Sequence, residues 1–262
     1  MTVAALAAEL PGAYSIYAKN LITGRTIQYR EHETMPSASL IKVPIMAEIF
    51  RRVEEEHLNL DDTLVMRQED QVPGSGVLMD LTPGLTLSIR DLTTLMITVS
   101  DNTATNLLID FAGVDAVNAL IRRLGLHHTI LERRLERIPV IRDQVNRTTA
   151  YDMSRLMELL ATGQLISVDV SRRMIDILSR CQGPVSIAPP VPDTPFVGGL
   201  PAMKIAHKTG SLDRARHDSG VIYTARHTLV STIMSQGAPA DRLLPSLGRL
   251  GRAVLKELRS DS

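Results

Sequence analysis

The chain has 262 residues, 44% of them hydrophobic, enough to bury a substantial core as one large domain or two interlocked ones. Its 29 basic and 29 acidic side chains cancel, which argues against a polyanionic partner such as nucleic acid, and 3% aromatics without tryptophan offer no base-stacking platform. The one cysteine, Cys181, excludes an intrachain disulfide and, lying in an apolar run with no motif around it, reads as a small buried hydrophobe.

Residues 1–10 are apolar but short, have no basic leading stretch and are interrupted by Glu9. They read as a first helix stopped by Pro11-Gly12 rather than as a secretory signal or membrane span. The expected location is cytoplasmic for a complete chain, and periplasmic or secreted if an export signal was removed. Residues 13–19 and 25–29 are strand-like runs around the turn 20–24, an antiparallel hairpin. From Ser39 to Arg51 the pattern is helical, with Ile41, Ile45, Ile49 and Phe50 on one side and Pro44 near the start. Residues 86–99 read as a buried helix with Ser88 as a cap. Ala104, Leu107, Leu108 and Phe111 mark one face of the next, ended by Gly113. Further helices are expected over 114–124, 149–160 and 171–180. A proline-rich stretch, 183–201, precedes three β-prone runs at 202–207, 220–224 and 229–234 and a closing amphipathic helix at 243–258. The economical arrangement is α/β of the α+β type, an antiparallel sheet from N- and C-terminal segments flanked by helices, with an all-helical insertion. The expected division is 1–30 with 181–262 as the sheet domain and 31–180 as the helical one, with a catalytic cleft between them.

Three short motifs carry chemistry: Ser39-Leu40-Ile41-Lys42, Ser100-Asp101-Asn102 and Lys208-Thr209-Gly210. On a helix, Lys42 shares a face with Ser39 and can hydrogen-bond its hydroxyl, serving as the base that a serine nucleophile needs. Alone, Ser39 would be an N-cap and Lys42 a surface residue. Ser100 can pass a proton to a leaving nitrogen, Asn102 can donate to a substrate amide carbonyl, and Asp101 can fix the turn, although all three residue types also favour helix caps. Lys208, as a point charge, and Thr209, as a hydroxyl donor, can hold a substrate carboxylate on an edge strand. Gly210 leaves room for an acyl group, and the backbone N–H groups of Ser39 and Ser211 can face an oxyanion. Together and in this order the motifs are S-x-x-K, S-D-N and K-T-G.

With these motifs the chain resembles the class A β-lactamases and related penicillin-binding proteins over nearly its full length. The likeness is densest at 35–46, 99–108, 124–125 and 207–211. The resemblance implies a β-lactamase/transpeptidase-like fold, a covalent acyl-enzyme on Ser39, no metal or organic cofactor, and a monomer acting on a small acyl substrate, a β-lactam or a peptide or ester, without nucleic acid or membrane. It also implies an E-x-x-L-N loop whose glutamate activates the deacylating water. Here the region reads Leu131-Glu-Arg-Arg-Leu-Glu-Arg-Ile-Pro139. Matching on Leu135 makes Glu132 that glutamate. Matching from Gly125 puts Leu135 in its place, with Glu136 one residue on, and Asp143 is a third carboxylate nearby. Each of these charges can instead pair with a neighbouring arginine on an exposed loop. After K-T-G, Arg214, Arg216 and His217 can add positive charge over the carboxylate site, with Asp218 pairing Arg216, or the group can equally form a structural turn network. The function read from all this is a serine hydrolase opening β-lactams. The alternatives are a related peptidase, amidase or esterase, or an acylated penicillin-binding or sensor protein without efficient deacylation.

Overall fold

The computed structural model describes residues 2–135, 145–188 and 203–259. From the N-terminus, α1 (Val3–Glu9) leads into the hairpin β1 (Ala13–Asn20) and β2 (Thr26–Tyr29), then a short strand β3 (Met35–Pro36). A 3-10 turn, Ala38–Ile41, runs directly into α2 (Lys42–Glu54). Strands β4 (Thr63–Val65) and β5 (Thr86–Ser88) precede α3 (Ile89–Thr98), α4 (Asn102–Ala112) and α5 (Val114–Arg123). After β6 (Arg147–Thr148) come α6 (Ala150–Ala161) and α7 (Val168–Leu178). The chain closes with β7 (Met203–Leu212), β8 (Ala215–Thr224), β9 (Thr228–Gln236) and α8 (Ala240–Arg259).

The main sheet has the order β2-β1-β9-β8-β7 and every neighbouring pair is antiparallel. It is the sheet read from the sequence, with both chain ends contributing. Its two faces are both covered, so alternate residues enter different cores. Ile16, Ile222, Leu229 and Ile233 pack with α1 and α8, whereas Tyr17, Val221, Val230 and Met234 face the helices between residues 42 and 178. α2 threads the centre of that helical layer, with every residue from Lys42 to Phe50 buried. Pro44 sits in its first turn, where a missing N–H breaks no helical hydrogen bond.

The structure departs from the sequence reading at a few element ends. Residues 86–88 form β5 instead of helix, because Ser88 is the N-cap: its backbone is extended and its hydroxyl accepts the Asp91 N–H. β7 and β8 are longer than read, so K-T-G lies within a strand, at the sheet edge. β3 pairs with β6, and Ser37 N–H donates to Asn146 O at 2.7 Å. These bonds tie the Ser39 turn to the segment after residue 145.

Candidate active site

Ser39 lies in the 3-10 turn rather than in α2 itself. The turn is entered through Ala38 at φ +46°, a left-handed conformation that costs a non-glycine residue on the order of 1 kcal/mol. A 3-10 helix has three residues per turn, so Ser39 and Lys42 eclipse. The lysine is fully buried. Its Nζ lies 2.7 Å from Ser100 O, 3.0 Å from Ser100 Oγ and 2.9 Å from Asn102 Oδ1. Burial, and then the charge of Lys208, hold the amine well below the usual lysine range, against the opposing pull of Asp101.

Ser100 also has a positive φ, +56°, immediately before α4. Asp101 caps that helix through Ala104 N–H at 2.9 Å. Its other oxygen accepts Val77 N–H at 2.7 Å and Leu78 N–H at 2.9 Å. A loop of residues 73–78 therefore grips the motif. Gly76 is required in it, since a Cβ there would sit 2.2 Å from Asp101 Oδ2. Asn102 donates its Nδ2 to Pro73 O at 3.1 Å, which fixes the amide with its oxygen toward Lys42.

On β7, Lys208 is also fully buried, and its Nζ lies 3.1 Å from Ser100 Oγ and 3.0 Å from Thr209 O. The Ser100 hydroxyl thus stands between two buried amines. Burial lowers Lys208 to about 8, with the charges of Cys181 and Asp218 opposing. Thr209 and Ser211 lie on the same strand, at the sheet edge. Gly210 has a structural use beside the one read in the sequence. The space its Cβ would need is filled by Ala38 Cβ and His217 Cδ2, both at 3.1 Å, and Ser37 O at 3.2 Å, so glycine here lets the nucleophile turn lie against β7.

The positive charges expected after K-T-G are turned elsewhere. Arg216 Nη1 donates to Leu212 O, and to Ala215 O at 2.8 Å, so its guanidinium closes the β7–β8 hairpin. Arg214 donates to Gly237 O. His217 donates Nε2–H to Pro36 O at 2.8 Å and accepts Ser235 N–H on Nδ1 at 3.2 Å. Burial pushes it down to about 4, so at neutral pH it carries no charge. Asp218 pairs with His207 at 2.7 Å, not with Arg216, because both lie on the covered side of the hairpin.

In the loop bordering the helical layer, Glu132 holds Arg147 at 2.8 Å. Among the described residues no ion pair joins a loop carboxylate to Lys42 or Lys208. Leu135 is held in this loop by both of its backbone polar groups. Asn106, one turn beyond Asn102 on α4, donates Nδ2 to Leu135 O at 2.6 Å and accepts Leu135 N–H at 2.7 Å. Nothing in the sequence pattern alone singled out Asn106. Glu136 and Asp143 lie outside the described residues.

A five-stranded antiparallel sheet beside a helical layer, with S-x-x-K, S-D-N and K-T-G meeting at its edge, defines the β-lactamase/transpeptidase-like class. The profile of the Beta-lactamase enzyme family matches residues 1–258. The crystal structure of a β-lactamase from Sphaerobacter thermophilus superposes with a TM-score of 0.89 at 32% identity, covering 98% of this chain and 95% of that one. A mutant of PBP-A, an acyl-enzyme complex with penicillin G, gives 0.85 at 26% identity over 97% and 94%. A mutant of the class A β-lactamase of the last common ancestor of Gram-negative bacteria gives 0.86 at 24% identity over 99% and 98%, a likeness of fold. The chain belongs to the beta-lactamase enzyme family and is a serine hydrolase of the class A type.

Proposed function

We propose that this enzyme opens the β-lactam amide through an acyl-enzyme on Ser39. The neutral amine of Lys42 takes the Ser39 proton as Oγ attacks the lactam carbonyl. The backbone N–H groups of Ser39 and Ser211 hold the oxyanion. Collapse breaks the C–N bond, and Ser100 hands its proton to the departing nitrogen, which stays tethered to the opened ring. Lys42, now charged, restores the Ser100 proton. Asn102 donates to the substrate's amide carbonyl, while Lys208 and Thr209 hold its carboxylate. Water then cleaves the ester and frees Ser39. We do not assign activation of that water to Glu132, whose carboxylate serves Arg147.

The carrying observation is the Ser100 hydroxyl, 3.0 Å from Lys42 Nζ and 3.1 Å from Lys208 Nζ. A neutral Lys42 donates to Ser100 O and Asn102 Oδ1 and accepts from Ser100, whose own acceptor site takes a proton from charged Lys208. One neutral amine is enough for that chain to close, and the charge of Lys208, which together with burial lowers Lys42, supports Lys42 as the neutral one. The test is intact-protein mass spectrometry during turnover of a chromogenic cephalosporin. Wild type is expected to show colour and a transient adduct, and Ser39→Ala neither. Sustained colour from Ser39→Ala overturns the assignment.

A further inference from the structure

Cys181, read from the sequence as an inert apolar filler, has unexpected neighbours. It follows α7, and the next residue, Gln182, donates its N–H to Thr98 O at 2.8 Å, holding the segment against the end of α3. The thiol is half-buried and interacts with the His207 ring, and the Gly183 N–H points to it. His207 is 2% exposed. Its Nδ1 lies 2.7 Å from Asp218 Oδ1, and Asp218 Oδ2 accepts Ser186 N–H at 2.6 Å and Ile187 N–H at 3.0 Å. Among the described residues, His207 Nε2, on the other side of the ring, has no hydrogen-bond partner, and the Cys181 thiol is near enough to interact with it. Cysteine, histidine and aspartate therefore stand in series.

The thiol also borders a cavity of about 230 Å³ that it shares with Ser100, Lys208 and Thr209. The acyl chemistry above uses neither Cys181 nor His207. Burial would raise the thiol, but the nearby His207 ring, the charges of Lys208 and His207 and the Gly183 N–H together bring it below the ordinary value. Burial likewise opposes charge on His207, but the charge and hydrogen bond of Asp218, with Cys181, lift it to about 10. The only other charge beside Cys181 in sequence, Arg180, is paired with Asp176 at 3.2 Å. The imidazole is therefore charged at neutral pH and the thiol ionises more readily than an ordinary one, and the thiolate is the form that attacks disulfides.

We propose that Cys181, positioned by His207 and Asp218, is a modification site for small anionic disulfides, and that the modified thiol blocks the neighbouring Ser39 site. In the reaction the Cys181 sulfur bonds to one sulfur of the disulfide and the S–S bond breaks. The second sulfur leaves as thiolate with the electron pair. Cys181 is oxidised, the leaving sulfur is reduced, and no outside oxidant is needed. Lys208, charged below about pH 8, favours an anionic reagent. The blocking effect rests on the proposed hydrolysis, whereas the modification itself does not.

The test uses the full chain with dithiobis(nitrobenzoate), following release of the coloured thiolate, protein mass and cephalosporin turnover together. One adduct is expected, forming faster than on free cysteine at pH 6, where a lowered thiol holds the larger thiolate fraction. Turnover is expected to fall in step and to return with dithiothreitol. The neutral methyl methanethiosulfonate, each reagent being normalised to its rate with free cysteine, is expected to show a smaller advantage. His207→Asn is expected to move the pH profile of labelling up to that of an ordinary thiol. Cys181→Ser is expected to turn over cephalosporin normally, take no label and resist inactivation. A thiol that labels only after denaturation, or with the rate and pH profile of free cysteine, overturns the site. Equal advantage for the neutral reagent overturns the anionic preference. Full labelling with undiminished turnover overturns the block while leaving the site itself intact.

Discussion

Two walls flank Ser39, and they are built differently. The wall of α2, the S-D-N turn and β7 is a closed polar network. Both lysines are fully buried, Asp101 makes three backbone hydrogen bonds, and Asn102 is held from two sides. The described part of the loop wall, residues 131–135 and 145–147, is arranged for attachment. Glu132 is paired with Arg147, Asn146 accepts Glu132 N–H, and Asn106 clasps the backbone of an apolar residue, Leu135. Buried amines without carboxylate partners are costly, and a fold keeps them where their depressed pKa does chemistry. Acylation is therefore the function of the first wall. The second wall's described part positions chain, and its contribution to deacylation depends on which side chain it turns inward.

The sharpest way to break this comparison is Lys42→Met. It is expected to lower the acylation rate by about 10²–10⁴, the usual worth of a positioned proton acceptor, in single-turnover mass spectrometry. An unchanged rate would give the base to another group. Next comes Leu135→Glu, which puts a carboxylate at the position Asn106 holds. If the clamp presents residue 135 to the acyl-enzyme, deacylation is expected to speed up about tenfold or more, read as a shorter adduct lifetime. A lifetime no shorter than wild type would show that residue 135 faces away.

Lys208 gives a graded effect. Because its pKa is about 8, it is charged at neutral pH and loses that charge as pH rises. KM for a carboxylate-bearing substrate is expected to climb above pH 8, and less so for an ester without the carboxylate. The His207–Asp218 pair gives the stability counterpart. His207 is raised from 6.5 to about 10 in the folded chain, so its contribution is full below 6.5 and is lost as pH rises toward 10. Comparing the pH dependence of thermal unfolding for wild type and His207→Asn checks this, the two curves converging at the alkaline end. The smallest effect is expected from Glu132→Gln. Its pair with Arg147 is part-exposed, so stability should fall by about 1 kcal/mol or less, with turnover altered less than about threefold. A collapse of turnover would return Glu132 to the catalytic set.

The sheet, the order of helices and the three motifs were legible because each rests on local signals. Runs of strand-forming residues mark β1 and β9, Ser88 and Gly113 cap helices through their own side chain or backbone freedom, and the motif residues are contiguous. The ends of β7 and β8 were less legible, because pairing across a hairpin extended β7 to Leu212 and started β8 at Ala215, through residues with no strand pattern of their own. The fates of His217, Arg216 and Asp218 stayed open for the same reason. Successive residues on a strand face opposite sides, and only the packed sheet tells which side is covered.

By itself the sequence determined which side chains could perform acyl transfer, and that an antiparallel sheet made from both chain ends would carry one of them. Tertiary structure decided the rest, because pKa and reactivity depend on what surrounds a group at three to four ångströms. It brought two lysines, 166 residues apart, to one serine hydroxyl, turned Glu132 toward Arg147, and set Cys181 beside a charged histidine at the mouth of the same cavity.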